Sequence, residues 1–464
     1  MPISHASSFR ASSLSLRSLA FVSILCCAPP TLAQGAAQRS ASAQSAAGLP
    51  APSSQLVSEL EGIYKDIHAN PEIANQERRT AKIAADWLRK RGFQVTEGVG
   101  GTGVVGVLRN GPGATVMMRA DMDALEMKED TGLPYASKKT TKNASGDEVP
   151  VGHMCGHDMH VTWLMGASRV LAENRKNWTG TVVAVFQPAE ETGTGASAMV
   201  KDGMLTRFPK PDIILGQHVM PIAVGTIGTR PGLLLSMSDQ LAVTFHGRGG
   251  HGSAPEKTID PVIMAAASVM RLQTVVSREL GITEGAVVSV GLLNAGSSGN
   301  IIPSEASMEL NVRSFDDQVR QTVLDGIKRV VDAEAMASNA PKPPTLTHLG
   351  RFPPTYNDEA NTPRVIAALK QRLGDNAVSE IVPASASEDF SIFARAWKVP
   401  SVYWAVGGTD RATFEKAQKE GRTNEIPSNH SPWFAPVVSP TVSIGVNAML
   451  AAATPWLTPG AARP

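Results

Sequence analysis

Short apolar runs alternate with amphipathic stretches along much of the sequence, and this alternation restricts the chain to few folds. Residues 104–108, 115–119 and 181–186 are short and apolar, as buried strands are, whereas residues 159–173 and 196–205 have the periodicity of helices. Strands that alternate with helices predict an α/β fold, here a mainly parallel sheet covered by helices. In such sheets, ligands bind at the carboxyl ends of the strands.

A second group of elements interrupts this pattern after Gly232. Its order of strand, helix, two strands, helix and strand predicts an inserted ferredoxin-like α+β domain over residues 236–350. The α/β pattern resumes after the insertion, so residues 55–235 and 351–455 are predicted to form the two parts of one larger domain. Residues 456–464 then form a short tail.

The first residues have the composition of a secretory signal peptide. Positive charges at Arg10 and Arg17 precede an apolar run at 19–28, and small residues follow it. The run is shorter than the roughly 20 apolar residues that span a bilayer, which disfavours a membrane anchor. We therefore expect residues 1–33 to be a signal peptide, residues 34–54 to be a flexible leader, and the mature protein to be secreted or periplasmic.

The overall charge is informative about partners. The chain has 464 residues and a formal net charge of +1, and 42% of its residues are hydrophobic. A nearly neutral chain has no general electrostatic attraction to nucleic acid or to an anionic membrane. We therefore expect a small molecule or a peptide as the partner, and neither nucleic acid nor a membrane.

One cysteine and three histidines lie within eight residues, in a predicted loop before a helix. They are His153, Cys155, His157 and His160, and a glycine separates Cys155 from His157. Thiolate and imidazole suit zinc and similar ions, and the glycine lets the backbone turn both side chains toward one ion. The pattern favours a metal site over solvated loop histidines, a buried free thiol or a cysteine nucleophile paired with histidine.

Further donor residues follow neighbouring predicted strands. Glu190 and Glu191 come after the strand at 181–186, and His218 comes after a strand at 212–215. Paired carboxylates can divide two tasks, one binding a cation and the other moving protons, although acidic residues are also common in the first turn of a helix. Because three neighbouring connections carry donor residues, we interpret them as parts of one site.

Residues far along the chain complete the set of candidates. His430 lies in the last predicted loop before the final helix, and His251 lies in a glycine-rich turn of the inserted domain. Such glycines permit close approach of the backbone to a ligand, although many glycine-rich turns are only turns. Asn300 and Arg313 are candidates for binding a substrate carboxylate, because arginine matches that group geometrically.

The ordered set of motifs resembles the M20 metallopeptidase family, and in particular its amidohydrolase branch, which includes hippurate hydrolases and plant auxin-conjugate hydrolases. The resemblance extends over nearly all of the chain that follows the leader. The segments that carry it are residues 68–72, 119–125, 153–160, 187–191, 251, 300–303, 387–390 and 430–432.

The resemblance implies a two-metal hydrolase. It implies two divalent ions per subunit, with manganese or zinc expected before cobalt or nickel. Arg119 departs from the wider family, which usually has a metal-binding histidine at that position. The implied metal ligands are Cys155, His157, Glu191, His218 and His430, the implied general base is Glu190, and Asp121 is an implied catalytic residue.

The resemblance also implies a reaction, which is hydrolysis of the amide bond of an N-acyl amino acid or a short peptide. His251 would donate a hydrogen bond to the oxyanion in the site of a partner subunit, so the inserted domain is expected to act as a lid and a dimerisation surface in a homodimer. The alternatives are a metallo-dipeptidase or carboxypeptidase of the same family, a cysteine hydrolase with Cys155 as nucleophile, and a metal-binding protein without turnover.

Overall fold

The structure is a computed structural model that describes residues 48–458. The predicted signal peptide at 1–33 lies outside the described residues, as do most of the predicted leader and most of the predicted tail. Within 48–458, no helix combines the length and the apolar composition that crossing a membrane requires.

The helices and strands alternate through the chain. The helices are α1 (Ser54–His68), α2 (Arg78–Arg89), α3 (His157–Glu173), α4 (Gly195–Lys201), α5 (Met204–Arg207), α6 (Pro261–Glu279), α7 (Asp317–Ala337), α8 (Thr362–Leu373), α9 (Ser391–Trp397), α10 (Arg411–Lys419) and α11 (Val438–Leu457). The strands are β1 (Gln94–Val99), β2 (Gly103–Asn110), β3 (Thr115–Asp121), β4 (Lys139–Lys142), β5 (Glu148–Val151), β6 (Gly180–Gln187), β7 (Ile213–Ala223), β8 (Ile227–Thr229), β9 (Gly232–Leu235), β10 (Met237–His246), β11 (Gly250–His251), β12 (Ala286–Ala295), β13 (Ile301–Ile302), β14 (Glu305–Ser314), β15 (Thr345–Phe352), β16 (Thr355–Asn357), β17 (Val378–Glu380) and β18 (Ser401–Thr409).

The main sheet has the strand order β1-β2-β6-β3-β7-β18-β8-β17. Its central strands β6, β3, β7 and β18 are parallel, whereas β1 pairs antiparallel with β2, β2 with β6, and β8 with β18. The predicted α/β class is confirmed, and the sheet is mixed, with four parallel and three antiparallel pairs of neighbouring strands. The apolar pattern did not predict β1, because most of its residues are partly or fully exposed and it carries no buried apolar run.

Helices cover both faces of this sheet. Along β3, Val116 and Met118 pack into the core on one face with α3 and α11, whereas Met117 packs into the core on the other face with α4 and α9. The alternation follows from the pleat, which directs successive side chains to opposite faces. A strand that is apolar on both sides is therefore buried at the centre of the fold, as its sequence predicted.

The two helices behind the sheet, α3 and α11, pack closely because a glycine lies between them. A Cβ on Gly445 would lie 2.1 Å from Cε2 of Trp163. The Trp163 indole N–H donates to the carbonyl of Thr441 at 3.0 Å, and the ring is fully buried. Gly445 thus gives the indole ring the space it needs against α11.

Residues 237–352 contain a second sheet with the strand order β12-β14-β10-β15. The chain forms it in the order β10, α6, β12, β14, α7, β15, and apolar side chains of α6 and α7 share a core with these strands. The N-terminal end of α7 is capped by Asp316, whose carboxylate accepts from the backbone N–H groups of Gln318 and Val319. The role of this unit as a lid and a dimerisation surface remains a prediction.

The register of the central parallel strands brings their carboxyl ends to one edge of the sheet. Asp121, the last residue of β3, lies opposite Gln187, the last residue of β6, and His218 of β7 lies opposite Ala405 of β18. The carboxyl edge of the parallel part of the sheet is therefore lined by the residues that follow these strands.

We predict that Gly445→Ala destabilises the protein by about 1–3 kcal/mol, because the added methyl group must displace a buried indole ring. Gly62→Ala is the matched control, since Gly62 lies in α1 and its Cβ would meet nothing within 4 Å. That change is expected to stabilise the fold by up to about 1 kcal/mol. Urea unfolding of both variants tests the packing, and equal stabilities would contradict it.

Candidate metal centre

The loop before α3 brings Cys155 and His157 to one side of a tight turn. Between them, Gly156 has a φ of +90°, and a Cβ there would lie 2.3 Å from Cγ1 of Val219. Any other residue would combine an unfavourable φ with this clash, so the position requires glycine. The turn leaves Sγ of Cys155 3.5 Å from Nε2 of His218.

Backbone carbonyl groups fix the orientation of two imidazole rings. Nδ1 of His157 lies 2.8 Å from the carbonyl oxygen of Asp123, and Nδ1 of His218 lies 2.8 Å from that of Val219. A carbonyl oxygen only accepts hydrogen bonds, so each Nδ1 carries a proton, and in the neutral form of each ring Nε2 is the nitrogen with the free lone pair. Metal-binding histidines are oriented in the same way.

Glu191 and His430 lie close together. Each belongs to a turn that contains a residue in the left-handed backbone conformation. Ala189 has a φ of +49° and His430 a φ of +67°, a conformation that costs a residue with a side chain about 1–2 kcal/mol. Nε2 of His430 lies 3.4 Å from Oε2 of Glu191, and Oε1 of Glu191 lies 3.8 Å from Nε2 of His157. Such strain persists where surrounding contacts hold it, and it is common at binding sites.

Glu190 lies beside these residues in the interior. Its side chain is buried, and its Oε2 lies 3.9 Å from Nε2 of His157. Burial raises the pKa of Glu190, and the charges of Glu388 and Glu191 raise it further. The turn after β6 therefore supplies two carboxylates with different surroundings, because Glu191 contacts His430 and Glu190 contacts other carboxylates.

The predicted ligands form two groups, and Cys155 belongs to both. Within each group, the possible ligand atoms lie within 4.8 Å of one another. Nε2 of His157 and Oε1 of Glu191 are both buried, and neither makes a hydrogen bond to another described residue. Buried polar atoms without a partner cost about 1–3 kcal/mol each, and a bound cation would satisfy both, so the residues fit a metal centre. The first group is Cys155, His157 and His218, and the second is Cys155, Glu191 and His430.

Arg119 lies behind the donor groups, completely enclosed, and its guanidinium connects several acidic side chains. It donates to Asp121 at the end of its own strand, to Glu388 at 2.7 Å and to Asp389 at 2.9 Å. It also donates to the side chain of Gln187 at 2.8 Å. One cation thus balances three buried carboxylates at the carboxyl edge of the sheet.

The cluster around Arg119 carries more carboxylates than cations. Burial raises the pKa of Asp389 to about 8, since burial and the charge of Glu388 together outweigh the opposing effect of Arg119. Oxygen atoms of Glu190, Glu388 and Asp389 lie within 4.8 Å of one another. The sequence assigned no role to the acidic residues of the motif at 387–390. In the structure, Glu388 and Asp389 contact the guanidinium of Arg119 and also lie close to Glu190, the predicted base.

Asp121 is held by two donors rather than left free. Its Oδ2 accepts from Arg119 and its Oδ1 accepts from Nδ1 of His160. The other ring nitrogen of His160 accepts from the backbone N–H of Val219 at 2.9 Å. His160 therefore connects Asp121 to the strand that carries His218.

The other histidines near Cys155 have different surroundings. His153 is fully buried, and neither of its ring nitrogens bonds to a described residue. Asp158, next to His157, lies 2.6 Å from Nδ1 of His68, whose Nε2 lies 3.1 Å from Glu129. Burial opposes the charged form of His68, but both carboxylates favour it and raise its pKa to about 10. A charged histidine thus anchors the start of α3.

The candidates of the inserted unit lie apart from this group. His251 and Ile301 pair in a short two-stranded sheet, and the carbonyl oxygen of Asn300 accepts from the N–H of Gly252. Nδ1 of His251 accepts from the backbone of Ser253. Among residues 48–458, no hydrogen bond or ion pair joins His251 or Asn300 to the predicted ligands.

Arg313 contacts the larger domain directly. Its guanidinium donates to the carbonyl of Ser385 at 2.5 Å, to Oγ of Ser387 at 3.1 Å and to the side chain of Asn311 at 2.9 Å. Burial lowers its pKa. These contacts fasten β14 to the segment that precedes Glu388.

A comparison with protein families identifies the family to which the chain belongs. Residues 117–421 match the model of Peptidase family M20/M25/M40. The chain belongs to this family. It is also 38% identical over 346 residues to the hippurate hydrolase of Campylobacter jejuni. The aligned region covers 74% of this chain and 87% of that protein.

Two further M20 proteins extend the comparison. The N-acetyl-L-cysteine deacetylase of Bacillus subtilis is 36% identical over 364 residues, or 78% of this chain and 83% of that protein. A solved structure from the same organism, described as a dinuclear metal-binding peptidase of the M20 family, has a TM-score of 0.65 and 26% identity, and it covers 87% of this chain and 98% of that chain. The protein is therefore a metal-dependent hydrolase of the amidohydrolase and peptidase type.

We predict that Arg119→Met lowers the free energy of unfolding by about 3–5 kcal/mol, because it leaves three buried carboxylates without a cation. Arg109→Met is the matched control, since Arg109 lies on β2 of the same sheet with an exposed side chain. The control is expected to stay within about 0.5 kcal/mol of the unaltered protein. Similar unfolding curves for both variants would show that the guanidinium is dispensable.

Proposed function

We propose that the protein hydrolyses the amide bond of N-acyl amino acids, with Glu190 as the general base. The observation that carries the proposal is the convergence of Cys155, His157, Glu191, His218 and His430 beside a buried carboxylate. The similarity to a hippurate hydrolase and to an N-acetyl-L-cysteine deacetylase supports an acylated amino acid as the substrate.

Two divalent ions would be held by two donor groups, and Cys155 belongs to both groups. His157 and His218 complete one donor group, and Glu191 and His430 complete the other. The thiolate among the ligands favours softer ions such as zinc, and the carboxylate also suits manganese, so we propose zinc or manganese, with cobalt and nickel as alternatives. When bound, such ions act as Lewis acids and lower the pKa of water toward about 7.

Further residues of the chain have proposed roles in the hydrolysis. Glu190 accepts a proton from the attacking water and returns it to the leaving nitrogen of the amide. His251 is suited to donate a hydrogen bond to the oxyanion, because Nδ1 accepts from Ser253 and the proton of the neutral ring lies on Nε2. Asn300, beside His251 in the inserted unit, is proposed to bind the carboxylate of the substrate. Arg313 is the second proposed contact of that carboxylate, and its guanidinium also donates to Ser385 and Ser387.

A homodimer is proposed to deliver His251 to the site of the other subunit. Strand β12 lies at the edge of the second sheet and exposes Val287, Leu292 and Leu293. An exposed apolar edge strand is suited to pairing with another strand. Pairing across β12 would join the sheets of two subunits and bury these side chains.

We predict that Glu190→Gln lowers kcat by about 100- to 10,000-fold, because an amide cannot accept the proton, while the metal content stays unchanged. Glu126→Gln, which alters an exposed glutamate, is the control. The assay uses hippurate and N-acetyl amino acids after chelation and re-addition of each metal. Full activity after complete metal removal would instead support a cysteine hydrolase.

We predict that His251→Ala lowers kcat by about 100- to 1,000-fold without loss of metal, because it removes one oxyanion donor. Mixing the His251→Ala and Glu190→Gln proteins tests the exchange between subunits. A mixed dimer has one site with both residues intact if His251 acts across the interface, so activity should reappear. If activity stays absent although mixed dimers form, His251 acts within its own subunit or has no such role.

A further inference from the structure

The side chain of Asn429 connects segments that carry different candidate ligands. Its Nδ2 lies 2.8 Å from the carbonyl oxygen of Cys155 and 3.1 Å from that of Val219. Val219 follows His218, and Asn429 itself precedes His430. A single amide group therefore joins three parts of the chain that are far apart in sequence.

The chemistry of the two acceptors fixes the orientation of this amide. Both partners are backbone carbonyl oxygens, which only accept, so the NH₂ group rather than the amide oxygen must face them. Both amide hydrogens are then used. An aspartate at this position would have the same shape but would bring oxygen atoms against two carbonyl oxygens.

The contacts of Asn429 coincide with those that orient the candidate ligands. The carbonyl oxygen of Val219 that accepts from Asn429 also accepts from Nδ1 of His218. The backbone N–H of His430 donates to the carbonyl oxygen of Met154, next to Cys155, at 2.8 Å. The loop with His430 is thus fastened to both other segments at the points where their ligands emerge.

The backbone conformation at His430 requires these hydrogen bonds. His430 has a φ of +67°, in the left-handed region that residues with a side chain rarely adopt. The side chain of His430 is also about half exposed, whereas that of Glu191 is almost completely buried. Hydrogen bonds on both sides of its backbone, rather than packing of its ring, therefore hold His430 toward Glu191.

We propose that Asn429 is a positioning residue that sets the spacing of Cys155, His218 and His430 and thereby the affinity of the centre for its metal ions. This inference rests on the proposed metal centre, but it assigns a task to a residue that binds no metal itself. Residues that orient metal ligands typically change metal affinity by about 10- to 100-fold when they are altered.

The test uses Asn429→Asp in the full-length protein, freed of metal and titrated with Co²⁺. Cys26 and Cys27, the other two cysteines of the chain, are replaced by serine in every protein tested, so that the absorption of a cobalt–thiolate bond reports on Cys155 without any assay of hydrolysis. We expect Co²⁺ to bind about 10- to 100-fold more weakly and the thiolate absorption to change in intensity. Asn429→Ala is the second variant, which lacks the added charge and gives the same information if the carboxylate prevents folding.

Asn447→Asp is the matched control. Asn447 is also half-buried, and its Nδ2 also donates to a backbone carbonyl, that of Ser443 at 2.8 Å, within α11. It is expected to bind Co²⁺ as the unaltered protein does, at a similar thermal stability of the metal-free form. Unchanged affinity and absorption in both Asn429 variants would overturn the inference. A failure of the unaltered protein to bind Co²⁺ would overturn the metal centre itself.

Discussion

The structure depends on one buried guanidinium at the carboxyl edge of the main sheet. Arg119 bonds to the last residue of its own strand, to Gln187 at the end of β6 and to the acidic pair before α9. Without this cation, three carboxylates in the interior would repel one another, and each would be costly to bury. The ends of β3 and β6, which position the proposed base and one proposed ligand, are therefore fixed by charge as well as by the sheet.

The candidate site lies at this edge of the sheet. The loops that form it contain residues in unusual backbone conformations. Gly156 allows the turn between two ligands, and Ala189 and His430 adopt left-handed conformations on either side of Glu191. Each of these positions is held by hydrogen bonds to its surroundings, such as the one from Ala189 N–H to Glu77. The strain of the turns is thus balanced by a rigid framework, which keeps the donor atoms close together.

The sequence predicted the α/β class because burial on both sides of a strand produces an apolar run, which β2, β3 and β6 have. It did not predict β1, whose residues are largely exposed. The donor residues were identifiable because Cys155 and His157 belong to a dense local cluster. The roles of Asn429, His160 and Arg119 were not, because each depends on a partner distant in sequence, and a hydrogen bond between a side chain and a remote backbone leaves no local pattern.

The position of His430 in the chain has a consequence for biogenesis. Four of the five proposed ligands are complete once residue 218 has been translated, whereas the last follows the whole inserted unit, more than 200 residues later. A nascent chain on the ribosome therefore carries an open, partly formed donor set. The complete set of proposed ligands is therefore present only after the C-terminal segment has been synthesised and has docked onto the edge formed earlier.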